Sequence, residues 1–186
     1  MILEGVVTTT NADGTTNISP MGPNVEDDFK AFQLRPFQTS RTYQNLKTTR
    51  CGVLHIVDDV MMIAQGAIKR WTLLPELVNA ETVSGQRIAN ACQAFEFTSQ
   101  VVEEDERTLI ECQVVQKHQG RRFFGFNRAK HAVIEAAILA TRINLLPMED
   151  IQTQFEGLKI IVGKTGGAEE HAAFDLLNSY VGEFIP

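Results

Sequence analysis

Hydrophobic and polar positions in the first two thirds of the chain repeat with the short period of strands, and those in the last third with helical spacing. Ile2 to Thr10 is rich in β-branched residues and runs into Asn11-Ala12-Asp13-Gly14. This predicts a strand, a tight turn and a partner strand over Thr15 to Ser19. Ser19-Pro20-Met21-Gly22-Pro23 then removes backbone donors, so the ladder is expected to break there. That stretch reads either as a plain surface loop or as an irregular strand end against which a flat ligand can lie. Lys30 to Phe37 alternates as a strand with Arg35 on its polar face, and a short helix is expected over Thr39 to Leu46. Gly52 to Val57 has the apolar character of a barrel-wall strand. His55 within it reads as a hydrogen-bonded core residue, because no second metal ligand stands at a usable spacing. Asp58-Asp59 caps an expected helix from Val60 to Lys69. Trp71 to Asn90 has no clear period. Two long strands follow, about Ala91 to Val102 and Arg107 to His118, joined by the solvated acidic turn Glu103-Glu104-Asp105-Glu106.

After Gln119 the pattern becomes helical. One helix is expected from Ala129 to Leu146, ended by Pro147, with apolar positions that wrap too far round for a surface helix. Two more are expected at Met148 to Val162 and Gly167 to Val181. Gly163-Lys164-Thr165-Gly166 between them has the flavour of a phosphate loop, but Gly157 stands one residue too far upstream, so Gly163 and Gly166 read as a C-cap and turn. The division expected is a strand-rich domain over residues 1–119 and a helical extension over 120–186.

Composition narrows the function classes. The chain has 186 residues, 44% hydrophobic and 22% charged, with a net charge of -6. That balance is ordinary for a globular protein and argues against non-specific nucleic-acid binding, which needs a broad basic surface. No apolar run reaches membrane-spanning length, and Met1-Ile2-Leu3-Glu4-Gly5 lacks the features of a signal peptide. Cys51, Cys92 and Cys112 are odd in number and widely spaced, as expected of reduced thiols in a cytoplasmic protein without a structural metal.

Two basic islands interrupt this acidic chain. From Phe29 to Val57 there is no Asp or Glu, yet Lys30, Arg35, Arg41, Lys47 and Arg50 fall inside. A helix beginning near Ser40 would aim free N–H groups toward the Thr39, Ser40 and Thr42 hydroxyls, where Arg35 or Arg41 could pin an anion. The alternative is an ordinary Ser40 N-cap beside a solvated basic face. From Cys112 to Ile134 acids are again missing, while Lys117, Arg121, Arg122, Arg128 and Lys130 lie within. Arg128, Lys130 and His131 stand at the positive end of a helix dipole, a mismatch that an anionic ligand would relieve. A basic patch pairing with the acidic turn accounts for the same residues.

Asn17-Ile18-Ser19-Pro20-Met21-Gly22, followed by Arg35-Pro36-Phe37-Gln38-Thr39-Ser40-Arg41-Thr42-Tyr43-Gln44-Asn45-Leu46, resembles the FMN-binding split-barrel proteins of the flavin reductase-like kind. The chain is most similar to a small uncharacterised archaeal and bacterial family in which the barrel also runs into a segment like Phe126 to Ala136. The resemblance implies an α+β, mainly β protein: an antiparallel split β-barrel of FMN-binding type with a C-terminal helical extension, assembled as a homodimer. It implies FMN as cofactor, with Asn17, Ser19, Pro20 and Met21 along the isoalloxazine. Arg35, Thr39, Ser40, Thr42 and Asn45 would hold ribityl and phosphate. The activity expected is that of a flavin-dependent oxidoreductase. A second anion site at Arg122, Asn127, Arg128 and His131 would receive an anionic donor or substrate, pterin-like or phosphorylated. His131 is the one candidate acid. A flavin carrier or sensor, or a cofactor-free dimeric scaffold, are the competing classes.

Overall fold

The computed structural model describes residues 1–26, 28–103 and 108–185. From residue 104 the expected acidic turn lies outside the described residues. By packing, the chain forms two compact units, one of Met1–Val57 with Pro75–Phe123, the other of Asp58–Leu74 with the chain from Phe124.

The first unit is built on a seven-stranded antiparallel sheet. Its strands are β1 (Gly5–Thr10), β2 (Thr16–Met21), β3 (Asn24–Val25), β4 (Ala31–Leu34), β5 (Cys51–Ile56), β8 (Gln93–Glu103) and β9 (Leu109–Gln119), in the order β2-β1-β5-β8-β9-β4-β3. The first hairpin forms as expected: Asn11 N donates to Thr15 O at 2.8 Å, and Gly14 takes the left-handed φ of 83° that a side chain would resist. The expected break at Ser19 to Pro23 comes only at Gly22-Pro23, after Met21. Pairing continues through Val6↔Pro20 to Gly5↔Met21. Proline is tolerated there because β2 is the end strand of the sheet, where a missing donor breaks no second ladder. Gly52 in β5 is required by close approach, since a Cβ would sit 2.8 Å from Thr8 O and 2.9 Å from the Phe97 ring.

Val7, Phe32, Leu34, Leu54, Phe95, Phe97 and Ile110 form the core of this unit, closed by Tyr43 and Leu46 of α1 (Arg41–Thr49). His55 is fully buried. Its Nδ1–H donates to Val6 O and its Nε2 accepts from Ile88 N, both at 3.0 Å, so it is the core histidine expected.

The unreadable stretch Trp71 to Asn90 contains a small hairpin, β6 (Leu77–Asn79) with β7 (Gln86–Ile88). A buried carboxylate holds its turn. Glu96 on β8 has no exposed surface and accepts the N–H groups of Glu81, Thr82 and Val83 at 2.7, 2.7 and 2.9 Å, and the Nε2–H of His118 at 2.7 Å. Burial pushes this carboxyl upward, but the three backbone donors and His118 together hold it below its ordinary range. Replacing Glu96 with Gln puts an amide NH2 against two of those four donors, since each carboxylate oxygen accepts a pair. The expected result is exchange of the Glu81 to Val83 amides accelerated by about tenfold, read by hydrogen exchange.

The second unit is helical: α2 (Val60–Ile68), α3 (Arg128–Ala140), α4 (Met148–Thr165) and α5 (Ala168–Gly182). Asp59 caps α2, its carboxylate accepting Met62 N at 2.8 Å. The alanines of α3 (Ala129, Ala132, Ala136, Ala137 and Ala140) are buried and let α2, α4 and α5 pack close around it. α3 stops at Ala140, well short of the expected Leu146. Arg142 N bonds Leu139 O, and Leu145 N bonds Arg142 O, turning the chain so that α4 can lie against α3. Gly163 is inside α4, not a cap. Gly166 is the residue that ends the helix. Among the described residues no helix is long and apolar enough to cross a membrane, and Cys51, Cys92 and Cys112 are buried free thiols.

Candidate functional site

α1 begins where sequence reading set it. Ser40 has extended backbone (φ -73°, ψ 145°), and its Oγ accepts Tyr43 N at 3.2 Å. Helix geometry leaves the N–H groups of Arg41 and Thr42 without intrahelical acceptors, and no acid occupies the first turn. The loop before it is tied down by Ser40 N to Phe37 O at 2.9 Å and Gln44 Nε2 to Gln38 O at 2.7 Å. Tyr43 and Leu46 lock the helix into the core, so its N-terminus is rigidly aimed. Thr39 and Arg41 are exposed beside it, and Arg35 is exposed just past the end of β4.

The same buried side of α1 that holds Tyr43 and Leu46 also carries Thr42 and Asn45, both polar. Their partners lie on β1, β2 and the turn between them. Asn45 Nδ2 donates to Thr9 Oγ1 at 3.0 Å and to Asn11 Oδ1 at 2.9 Å. Asn17 Nδ2 donates to Thr9 Oγ1 and to Thr42 Oγ1, each at 3.2 Å. Hydrogen bonding thus brings together Asn17, Thr42 and Asn45 from the expected set. Asn17, Ser19 and Met21 share one face of β2, and Pro20 alternates to the other with buried Ile18. Thr9 and Asn11 were missed by sequence reading. They sit in a stretch that reads only as strand and turn, and nothing in their spacing marks them as partners of a helix more than thirty residues on.

The fit to a nucleotide-like ligand rests on this donor set: an acid-free helix N-terminus, hydroxyls and guanidiniums at one end, and oriented amides beside it. Flavin mononucleotide has a phosphate, a polyol and a planar ring in that order. A separate open groove of about 790 Å³, lined by Asn24, Gln33, Thr98, Gln100, Glu111 and Gln113 among others, contains none of the expected site residues.

The second basic island is more committed to structure. Asn127 is the N-cap of α3, its Oδ1 accepting Ala129 N and Lys130 N at 2.8 and 3.1 Å while its Nδ2 donates to Thr165 O at 3.1 Å. Lys130 bonds the Glu170 carboxylate at 2.9 Å and Asp58 O at 2.6 Å, so Glu170 supplies the acid that the α3 N-terminus lacks in sequence. Arg128 and His131 are exposed on the first turn of α3, and Arg122 is exposed near the end of the first unit. Asn127→Ala removes the cap, and urea denaturation is expected to register a loss of about 1 kcal/mol.

Comparison with known proteins adds the family. The model described as "Protein of unknown function (DUF447) N-terminal domain" matches residues 3–121, and that described as "Protein of unknown function (DUF447)" matches residues 127–179. No curated protein sequence matches the chain. Among solved structures, an FMN-bound protein from Methanosarcina mazei of the same family is 21% identical with a TM-score of 0.82, over 96% of this chain and 94% of that one. The 2-nitrobenzoate 2-nitroreductase of Pseudomonas fluorescens is 18% identical with a TM-score of 0.53, over 63% of this chain and 64% of that one. An FMN-binding protein from Thermus thermophilus is 14% identical with a TM-score of 0.51, over 63% and 70%. The shared fold is the flavin reductase-like antiparallel split barrel, here with C-terminal helices.

Proposed function

This chain belongs to the DUF447 family, and we propose that it binds FMN between β2 and the N-terminus of α1 and works as a flavin-dependent oxidoreductase. The observation that carries the reading is the rigid, acid-free α1 N-terminus, set beside buried amides in a fold shared over 96% of the chain with an FMN-bound protein. Arg35, Thr39, Ser40 and the first α1 N–H groups take the phosphate. Thr42, Asn45 and Asn17 face the ribityl chain, and Ser19 and Met21 lie along the ring with the Pro20 main chain between them. When bound, the isoalloxazine supplies the hydride chemistry. The chain's part is to hold phosphate and polyol and to orient the ring edge with polar groups of β2.

The substrate class expected with it is a small anion, met by the exposed Arg128 and His131 on the first turn of α3, beside the Lys130–Glu170 pair. The resemblance to dimeric split barrels extends the proposal to a homodimer, which light scattering reads directly.

The test is an absorption spectrum of the protein as purified, with mass spectrometry of what it releases on denaturation. FMN is expected at about one per chain after reconstitution. Bleaching by reduced nicotinamide or a deazaflavin, with reoxidation by an added acceptor, distinguishes an oxidoreductase from a flavin carrier. A colourless protein that takes up no FMN from excess would overturn the reading.

A further inference from the structure

The amides beside α1 are oriented by a chain of hydrogen bonds that begins outside the cradle. Asp13 Oδ1 accepts both Thr15 N at 3.0 Å and Thr15 Oγ1 at 2.6 Å. The one hydroxyl hydrogen of Thr15 is therefore taken, and toward Asn11 Thr15 can only accept. Asn11 must then turn its Nδ2 to Thr15, at 2.9 Å, and its carbonyl toward Asn45. Asn45 is forced in turn to present Nδ2 to both Asn11 Oδ1 and Thr9 Oγ1. Thr9 Oγ1 receives a second amide from Asn17, whose other Nδ2 hydrogen goes to Thr42. As far as Asn45 each step follows from donor and acceptor count alone; Thr9 and Thr42 are hydroxyls that donate or accept, so the count stops at Asn45. With Thr9, Thr42 and Asn45 all buried, a reversed amide would strand polar groups away from water.

We propose that Asp13 is a positioning residue for the flavin site, setting through Thr15 and Asn11 which end of the Asn45 amide faces the cofactor. In that polarity Asn45 gives its Nδ2 hydrogens to Asn11 and Thr9, and its carbonyl is the acceptor for a ribityl hydroxyl. The inference rests on the proposed FMN reading and adds to it a residue that touches no part of the ligand.

The experiment compares the unaltered protein with Asp13→Ala, Asp13→Asn, Thr15→Val and the double variant Asp13→Ala/Thr15→Val. FMN dissociation constants come from flavin fluorescence, and the side-chain Nδ2 resonances of Asn45 and Asn17 from NMR of the flavin-free protein. Asp13→Ala and Thr15→Val are each expected to weaken FMN binding by about fivefold, the worth of one misdirected hydrogen bond. Asp13→Asn keeps an acceptor for Thr15 and is expected to stay within about twofold. The double variant should be no weaker than either single one, because both cut the same chain. The Asn45 resonances should move in Asp13→Ala and Thr15→Val and hold still in Asp13→Asn, a change that simple loosening of the hairpin would not divide in this way. Unchanged affinity in Asp13→Ala, additive losses in the double variant, or an unmoved Asn45 signal each overturn the relay. If the unaltered protein takes up no FMN, the flavin reading fails and the relay's role in binding with it, while the resonances report on the hydrogen-bond chain separately.

Discussion

Replacing Arg35 and Ser40 together by alanine is expected to weaken FMN binding by about a hundredfold and to leave riboflavin binding nearly unchanged. Charge-assisted hydrogen bonds contribute about 1.5–3 kcal/mol each, and losing two reaches that factor without invoking any change of fold. Riboflavin lacks the phosphate, so it reads the ring and polyol contacts alone. Ser40 has a second role as the α1 cap, bonding Tyr43 N, and alanine there also costs the helix about 1 kcal/mol. Ser40→Asp separates the two. Aspartate caps as well as serine but sets a carboxylate against the phosphate, so the melting temperature should hold while FMN affinity falls. Full FMN affinity in Ser40→Asp would remove the phosphate from this helix end.

A drop in stability of about 3 kcal/mol is expected between pH 6.5 and pH 4 from His55 alone. Burial pushes its pKa down to about 4, against an opposing hydrogen bond to Val6 O and with further downward push from the positive charges of Arg87 and His118. The unfolded chain, with His55 near its ordinary value of about 6.5, binds a proton in that window that the folded chain refuses. Folding stability therefore rises with pH through the window and is lost as acid is added. The structural reason is specific. Nε2 is the acceptor for Ile88 N, and protonating it would turn that bond into two facing donors inside the barrel wall. Urea denaturation at pH 7, 5 and 4 on the parent and on His55→Gln isolates the effect, because every other titrating group is common to both. Parallel pH profiles would show that His55 charges without penalty.

Particular elements explain how far sequence reading reached. The Asn11 to Gly14 turn, the Ser40 cap of α1 and the Asp59 cap of α2 were legible because each is a contract between residues a few positions apart. His55 was legible because an apolar run surrounds it and no second ligand follows. The continuation of β2 through Pro20 was not, since proline disrupts a central strand and is harmless on an end strand, and strand position is a property of the whole sheet. α3 was overextended for a similar reason. Residues 141 to 146 have tolerable helix propensity, and only the packing of α4 back on α3 makes them turn.

For the site, local chemistry decided which residue types stand near the α1 N-terminus, because an acid-free stretch with a Ser cap is written in consecutive letters. Tertiary structure alone decided that Thr9, Asn11, Asn17, Thr42 and Asn45 share one hydrogen-bonded cluster, that Glu96 reaches back to Glu81 to Val83, and that Lys130 has Glu170 for a partner. Donor and acceptor counts close only over atoms that meet in space. Chain folding, and not adjacency along it, chooses which ones meet.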